Sequence, residues 1–236
     1  MTAALTTVGF DADDTLWHNE RFFRLTEDRF VDLLSEFADA DHLKERLLDA
    51  ERRNIERYGY GIKGFTLSMI ETALQVTENR VPGEVISDLI AAGKEMLRHP
   101  IDLLPGAKET VTALAQDFRL LLITKGDLID QERKLAQSGL GEMFDGVEIV
   151  SEKSSQVYRE IFSGRAIAPN SAMMIGNSLK SDVNPVIQAG GWGVYVPFGD
   201  TWVLEAAPAP EGHPRYREIA ELAEVPELVE EICRNI

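Results

Sequence analysis

Three aspartates crowd one short stretch of the chain. In VGFDADDTLWHNE, residues 8–20, small and apolar residues lead directly into Asp11, Asp13 and Asp14. Crowded carboxylates repel one another and resist ionising unless a cation offsets them. Taken alone, the same pattern describes a turn that caps the next helix. Polar groups after later apolar runs shift the balance. Thr124-Lys125-Gly126 follows FRLLLI, Lys153 follows DGVEIVS, and GNSLKSD, carrying Asn177 and Asp182, follows SAMMI. A hydroxyl, a glycine-permitted turn and a helix start near Asp127 form an anion cradle, to which Lys153 adds an ammonium. Singly, Lys153 reads as a solvated lysine and Asp182 as a helix cap. Together, at the ends of successive strands, they read as one site.

Such a site needs a scaffold that gathers strand ends along one edge. The runs LTTVGF, FRLLLIT, DGVEIVS, SAMMIGN and WGVYVPF predict five strands. The continuous apolar character of residues 118–124 predicts a strand buried on both faces. Amphipathic stretches at residues 127–138, 154–163 and 182–188 lie between them. That alternation predicts an α/β fold, a Rossmann-like parallel sheet with helices on both faces and a ligand at the carboxyl ends of the strands. Residues 18–99 break the rhythm with four helical patterns and no strand, so an all-helical insert follows strand 1. The expected division is a core of residues 1–17 and 100–236 and a helical domain of residues 18–99. Within the insert, ERYGYGIKGF is either a helix–helix turn or a specificity loop that presents Tyr60 and Lys63 to a substrate. The proline-rich EAAPAPEGHPRYREI reads as a surface excursion or strap, and residues 226–234 as a closing helix.

Composition bounds the partners. With 24 Lys and Arg against 40 Asp and Glu, the net charge is −16. That balance argues against nucleic acid or an anionic membrane as partner, while a small anionic substrate needs only a local cation. The single cysteine, Cys233, excludes an internal disulfide and a cysteine-built zinc site. No signal segment or membrane-length apolar run is apparent, so a cytoplasmic protein, monomer or homodimer, is expected.

Asp11-x-Asp13-x-Thr15, Thr124 after a strand, Lys153, and Gly176-Asn177 through Ser181-Asp182 resemble the four motifs of the haloacid dehalogenase superfamily. The insert is similar to that superfamily's helical C1 cap, and the likeness extends over residues 5–200. The resemblance implies a phosphatase using Mg²⁺. Asp11 would attack phosphorus to form an aspartyl-phosphate, and Asp13 would protonate the leaving oxygen and then deprotonate water. Thr124, Lys125, Gly126 and Lys153 would hold the phosphoryl group. Asp11, the Asp13 carbonyl, Asn177 and Asp182 would hold the metal. The dehalogenases that name the superfamily lack the acid that Asp13 supplies, which favours a phosphatase for a small phosphorylated metabolite such as a nucleotide or sugar phosphate. The layout most resembles the pyrimidine 5′-nucleotidase and acylneuraminate-9-phosphatase group. A 2-haloacid dehalogenase, a phosphomutase and a non-catalytic phosphometabolite-binding protein are the alternatives. Two departures from the family pattern stand out, Asn177 where Asp is usual and Lys125 where Asn is frequent.

Overall fold

The computed structural model describes residues 4–199 and 202–235. Six parallel strands form one sheet: β1 (Thr7–Phe10), β2 (Arg119–Lys125), β3 (Gly146–Val150), β4 (Ala172–Gly176), β5 (Trp192–Tyr195) and β6 (Tyr216–Glu218). Their order across the sheet is β3-β2-β1-β4-β5-β6. The order reverses between β1 and β4, and a doubly wound sheet opens its binding crevice at such a point.

Alternation along the strands builds two cores. Val8, Phe10, Leu120, Leu122, Met173 and Ile175 face one side, with α5 (Ala107–Leu114) and α9 (Val225–Asn235) covering them. Leu121, Ile123 and Met174 face the other side, packed by Tyr158 and Phe162 of α7 (Ser155–Gly164) and Val186 of α8 (Asn184–Gln188). Burial on both faces explains why residues 118–124 read as a continuous apolar run, without alternation. The helix α6 (Leu128–Ser138) follows β2.

β6 has no counterpart among the five predicted strands. It lies in the proline-rich stretch read as an excursion or strap, and pairs with β5 through Gly193↔Tyr216 and Tyr195↔Glu218. Three residues on a sheet edge leave too short a pattern for strand periodicity to register.

The chain divides into two compact units, and the second comprises Asn19–Pro100 with Gly126–Asp130. The expected helical domain thus gains five residues from the loop after β2 and the first turn of α6. This unit holds α1 (Glu20–Leu34), α2 (Ala40–Tyr58), α3 (Ile62–Val76) and α4 (Gly83–Arg98) around Phe30, Leu34, Leu47, Phe65, Met69 and Leu89. Asp39 caps α2 by accepting from the His42 N–H. Gly59 at φ 74° and Gly61 at φ 111° reverse the chain between α2 and α3, a conformation that costs glycine little. Most of the ERYGYGIKGF stretch is therefore helix, leaving Gly59, Tyr60 and Gly61 as the turn. Asn54 donates to Ser68 Oγ at 3.1 Å and to Glu71 at 2.9 Å, tying α2 to α3.

Glu51 on α2 is costly in its ionised form. Burial, with Glu27 and Glu20 adding to it, pushes its carboxyl up to about 8. The folded-state value lies above the unfolded one, so the stability it contributes is complete below about pH 4.5 and lost as pH rises through 8. Glu51→Gln is therefore expected to melt several degrees above wild type at pH 9 and together with it at pH 4. Parallel melting curves at both pH values would show Glu51 to be solvated.

Candidate active site

The site assembles where the order of the sheet reverses. Asp11 follows β1, its backbone N–H donating to the Ile175 carbonyl at 2.9 Å, so the end of β1 is pinned beside β4. Lys153 stands just before Ser154, which caps α7. Its Nζ donates to Asp11 Oδ1 at 2.5 Å and to Asp182 Oδ1 at 2.6 Å. All three side chains are buried. Burial alone would depress the Lys153 ammonium, but the two carboxylates outweigh it and hold its pKa above the ordinary lysine value. Two acids thus share one cation. Burial, with the charge of Asp11 beside it, pushes the Asp182 carboxyl up to about 7 against the pull of Lys153.

Local backbone features place Asp182. Residues Leu179–Val183 form a single π-helical turn, with the Val183 N–H reaching back to the Ser178 carbonyl at 3.2 Å. Such turns re-aim side chains and often mark functional sites. Asp182 Oδ2 accepts from the Ser178 backbone N–H at 3.0 Å. A Cβ at Gly176 would overlap the Asp182 carboxylate, so only glycine at the end of β4 leaves room for it. Tyr158 supports the same turn by donating to the Ser181 carbonyl at 3.0 Å.

Thr15 links the first and fourth motifs. Its hydroxyl lies 3.2 Å from Asp11 Oδ2 and 3.3 Å from Asn177 Oδ1, and it accepts from the Asn177 N–H at 3.1 Å. With one proton to donate, it satisfies one of those two oxygens at a time. Thr124, at the end of β2, is buried and its Oγ1 has no hydrogen-bond partner among the described residues. Buried hydroxyls are normally satisfied, so this one is an open position for a ligand oxygen.

Asp13 sits in a different setting from Asp11. Trp17 Nε1 donates to Oδ1 at 2.7 Å and Gln131 Nε2 to Oδ2 at 2.8 Å, while Lys134 Nζ reaches both oxygens at 2.9 and 3.1 Å. Gln131 and Lys134 were not among the residues singled out in the sequence. The available signal was two polar side chains, three apart on α6, at buried positions. Asp14 takes a left-handed φ of 57°, and its N–H donates to the Trp17 carbonyl at 2.7 Å, completing the turn.

Lys125 is held in an ion pair. Its Nζ is 2.5 Å from Glu205 Oε1 and donates to Ser181 Oγ at 2.9 Å, so its charge is matched by a carboxylate. Glu205 also accepts from Ser178 Oγ at 2.7 Å and from Ser181 Oγ at 2.5 Å. Burial pushes the Glu205 carboxyl up, but the Lys125 charge and these hydrogen bonds outweigh it and lower its pKa. The reason lies far along the chain: Glu205 comes from the segment after β5, which no local pattern links to residue 125. Gly126 follows at φ 145°. In the helical unit, Lys63 on the first turn of α3 pairs with Asp127 at 2.9 Å, and Tyr60 lies half-buried in the turn before it.

For a metal, the donors gathered at the strand ends are the Asp11 and Asp182 carboxylates and the Asn177 amide oxygen. Among the described residues, no group of three His, Cys, Asp or Glu side chains could hold a metal. An all-oxygen set with two carboxylates against one ammonium keeps a net negative charge, which fits a hard cation such as Mg²⁺.

Fold order, strand-end carboxylates and the Lys153 bridge define a hydrolase of one superfamily, and the sequence matches the haloacid dehalogenase-like hydrolases over residues 5–190. The chain belongs to that family. It is similar to a haloacid dehalogenase-like family hydrolase from Xanthomonas campestris, at 41% identity and a TM-score of 0.89 over 98% of this chain and 93% of that one. It shares the fold of the putative hydrolase YfnB from Bacillus subtilis, at 18% identity and a TM-score of 0.66 over 96% and 99% of the two chains. Mus musculus N-acylneuraminate-9-phosphatase is 27% identical over 99 residues, 40% of each protein. The matched stretch thus spans less than half of that enzyme. No helix among the described residues is long and apolar enough to cross a membrane.

Proposed function

We propose that this hydrolase is a Mg²⁺-dependent phosphatase that cleaves a small phosphomonoester through an aspartyl-phosphate. The observation that carries the reading is Asp13, a carboxylate held by three donors two residues after the buried Asp11. Cleaving a phosphate ester needs a proton for the leaving oxygen and later a base for water, and halide departure needs no such proton. The partial likeness to N-acylneuraminate-9-phosphatase and the description of YfnB as bound to magnesium point the same way.

Asp11 attacks phosphorus, forming an O–P bond as the ester P–O bond breaks, and Asp13 delivers a proton to the departing oxygen. Water then attacks phosphorus, Asp13 takes its proton, and Asp11 leaves as carboxylate with release of inorganic phosphate. Thr124 Oγ1 and the Lys153 ammonium orient the phosphoryl oxygens and offset their charge. Asp11, the Asp13 backbone carbonyl, Asn177 and Asp182 would hold Mg²⁺, which when bound supplies the charge that lets an anionic carboxylate meet an anionic phosphate. Asn177 brings an oxygen but no charge, so Asp182 carries more of that binding. The substrate is proposed to be a small phosphorylated metabolite, selected by the helical unit with Tyr60 and Lys63 among its contacts.

Phosphate release from a panel of small phosphomonoesters with Mg²⁺, abolished by a chelator, tests the reading. Asp13→Asn is expected to lower kcat for an alkyl phosphate by roughly 10²–10⁴-fold. A second reading, hydrolysis of a carbon–halogen bond, is favoured by the neutral Asn177 alone. Halide release from a 2-haloacid that rises in Asp13→Asn would favour it.

A further inference from the structure

The two aspartates at the end of β1 are held by different lysines, and the second has no place in the four motifs. Lys153 bridges Asp11 and Asp182, while Lys134 of α6 grips Asp13 through both oxygens, at 2.9 and 3.1 Å. Lys134 is 5% exposed, an unusual burial for a lysine unless it is paired. Gln131, one turn earlier on the same helix face, donates to Asp13 Oδ2 at 2.8 Å and to the Lys125 carbonyl at 3.2 Å. That second bond fixes the amide orientation, because a flipped amide would set its oxygen against two acceptors. Gln131 Oε1 is left buried and without a hydrogen-bond partner among the described residues. Trp17 Nε1 completes the cradle at 2.7 Å.

Every contact made to this carboxylate comes from a donor. The cradle therefore fixes the Asp13 side chain in one rotamer, with Lys134 bridging both of its oxygens. From this geometry we infer that Lys134, with Gln131, is a positioning residue for Asp13 as the base in hydrolysis of the aspartyl-phosphate. This rests on the phosphatase reading above. In that step water forms the new P–O bond, its proton passes to Asp13, and the bond from phosphorus to Asp11 breaks. Gln131 Oε1 is the open acceptor beside the base, suited to a hydroxyl or water proton. Without Lys134 the carboxylate keeps two single contacts and can rotate, and small misplacements of a reacting group carry large rate penalties.

The experiment is rapid mixing of para-nitrophenyl phosphate with the full-length protein and Mg²⁺. Nitrophenolate leaves without needing a proton, so the first half-reaction is insensitive to Asp13 while the second is not. Lys134→Met is expected to show a nitrophenolate burst close to one equivalent per site, then a steady state at least ~10-fold below wild type. Lys134→Arg, which restores a two-oxygen contact, is expected to recover much of the steady-state rate. Gln131→Met, a milder change, should show the same burst with a smaller fall. A Lys134→Met steady state equal to wild type, or a fall in both phases without a burst, would overturn the inference. Loss of the circular dichroism signal in Lys134→Met and Gln131→Met would also overturn it, marking the cradle as a folding element. A wild-type protein inactive on this ester and on the phosphomonoester panel would instead remove the phosphatase reading itself.

Discussion

Asp11→Asn is expected to lose phosphate release by roughly 10³-fold or more while the protein stays folded and melts no lower than wild type. The amide is not a nucleophile towards phosphorus, so no aspartyl-phosphate forms. Its geometry nonetheless suits the contacts that Asp11 makes. The amide oxygen can accept from Lys153, as Oδ1 does at 2.5 Å, and the NH₂ can face Thr15 Oγ1, now 3.2 Å from Oδ2. The substitution also removes one of two buried carboxylates that share a single ammonium, which relieves their repulsion. Activity and stability should therefore move in different directions. Retained turnover in a folded Asp11→Asn protein would overturn the nucleophile assignment, while joint loss of turnover and melting temperature would make Asp11 a structural anchor.

Lys153→Met is expected to do the opposite, taking both activity and stability. The ammonium is buried between Asp11 and Asp182, and removing one partner of a buried ion cluster leaves charge uncompensated, at a cost of ~3–5 kcal/mol. For a chain of this size that corresponds to a fall of roughly 10 °C in melting temperature. Protonation limits the damage. The Asp182 carboxyl already stands at about 7, above its unfolded value, so the folded state favours its neutral form. Without Lys153 that preference strengthens, and the stability tied to the proton is present at low pH and lost as pH rises. The gap between variant and wild type should thus be wider at pH 8 than at pH 5. Melting curves at the two pH values check this, and a gap independent of pH would show that the two carboxylates do not compete for one cation. Phosphate release should fall as well, since the ammonium proposed to orient the phosphoryl oxygens would be lost.

Much of this protein was legible in its sequence, and the reason is local. A strand buried on both faces reads as a continuous apolar run, as residues 118–124 do, and the polar residues after such runs fall at the carboxyl edge of a parallel sheet. Asp11, Thr124 and Asp182 could be placed at one edge for that reason, and the four helices of the insert followed from their apolar spacing. What the tertiary structure alone decided are contacts between residues whose separation carries no period. Lys125 could be read as a cation beside the phosphate or as a solvated lysine, and its pairing with Glu205, 80 positions on, had no local signal. Asp13 was read from its own turn as the residue that moves the proton, while the grip of Lys134 on its oxygens, from 121 positions on, had no local signal. β6 required an edge of β5 to pair with before three residues counted as a strand. Local pattern sets where a side chain sits on its own element. Which charge it meets is set by packing across elements, because Coulomb interactions and hydrogen bonds depend on distance in space and not along the chain.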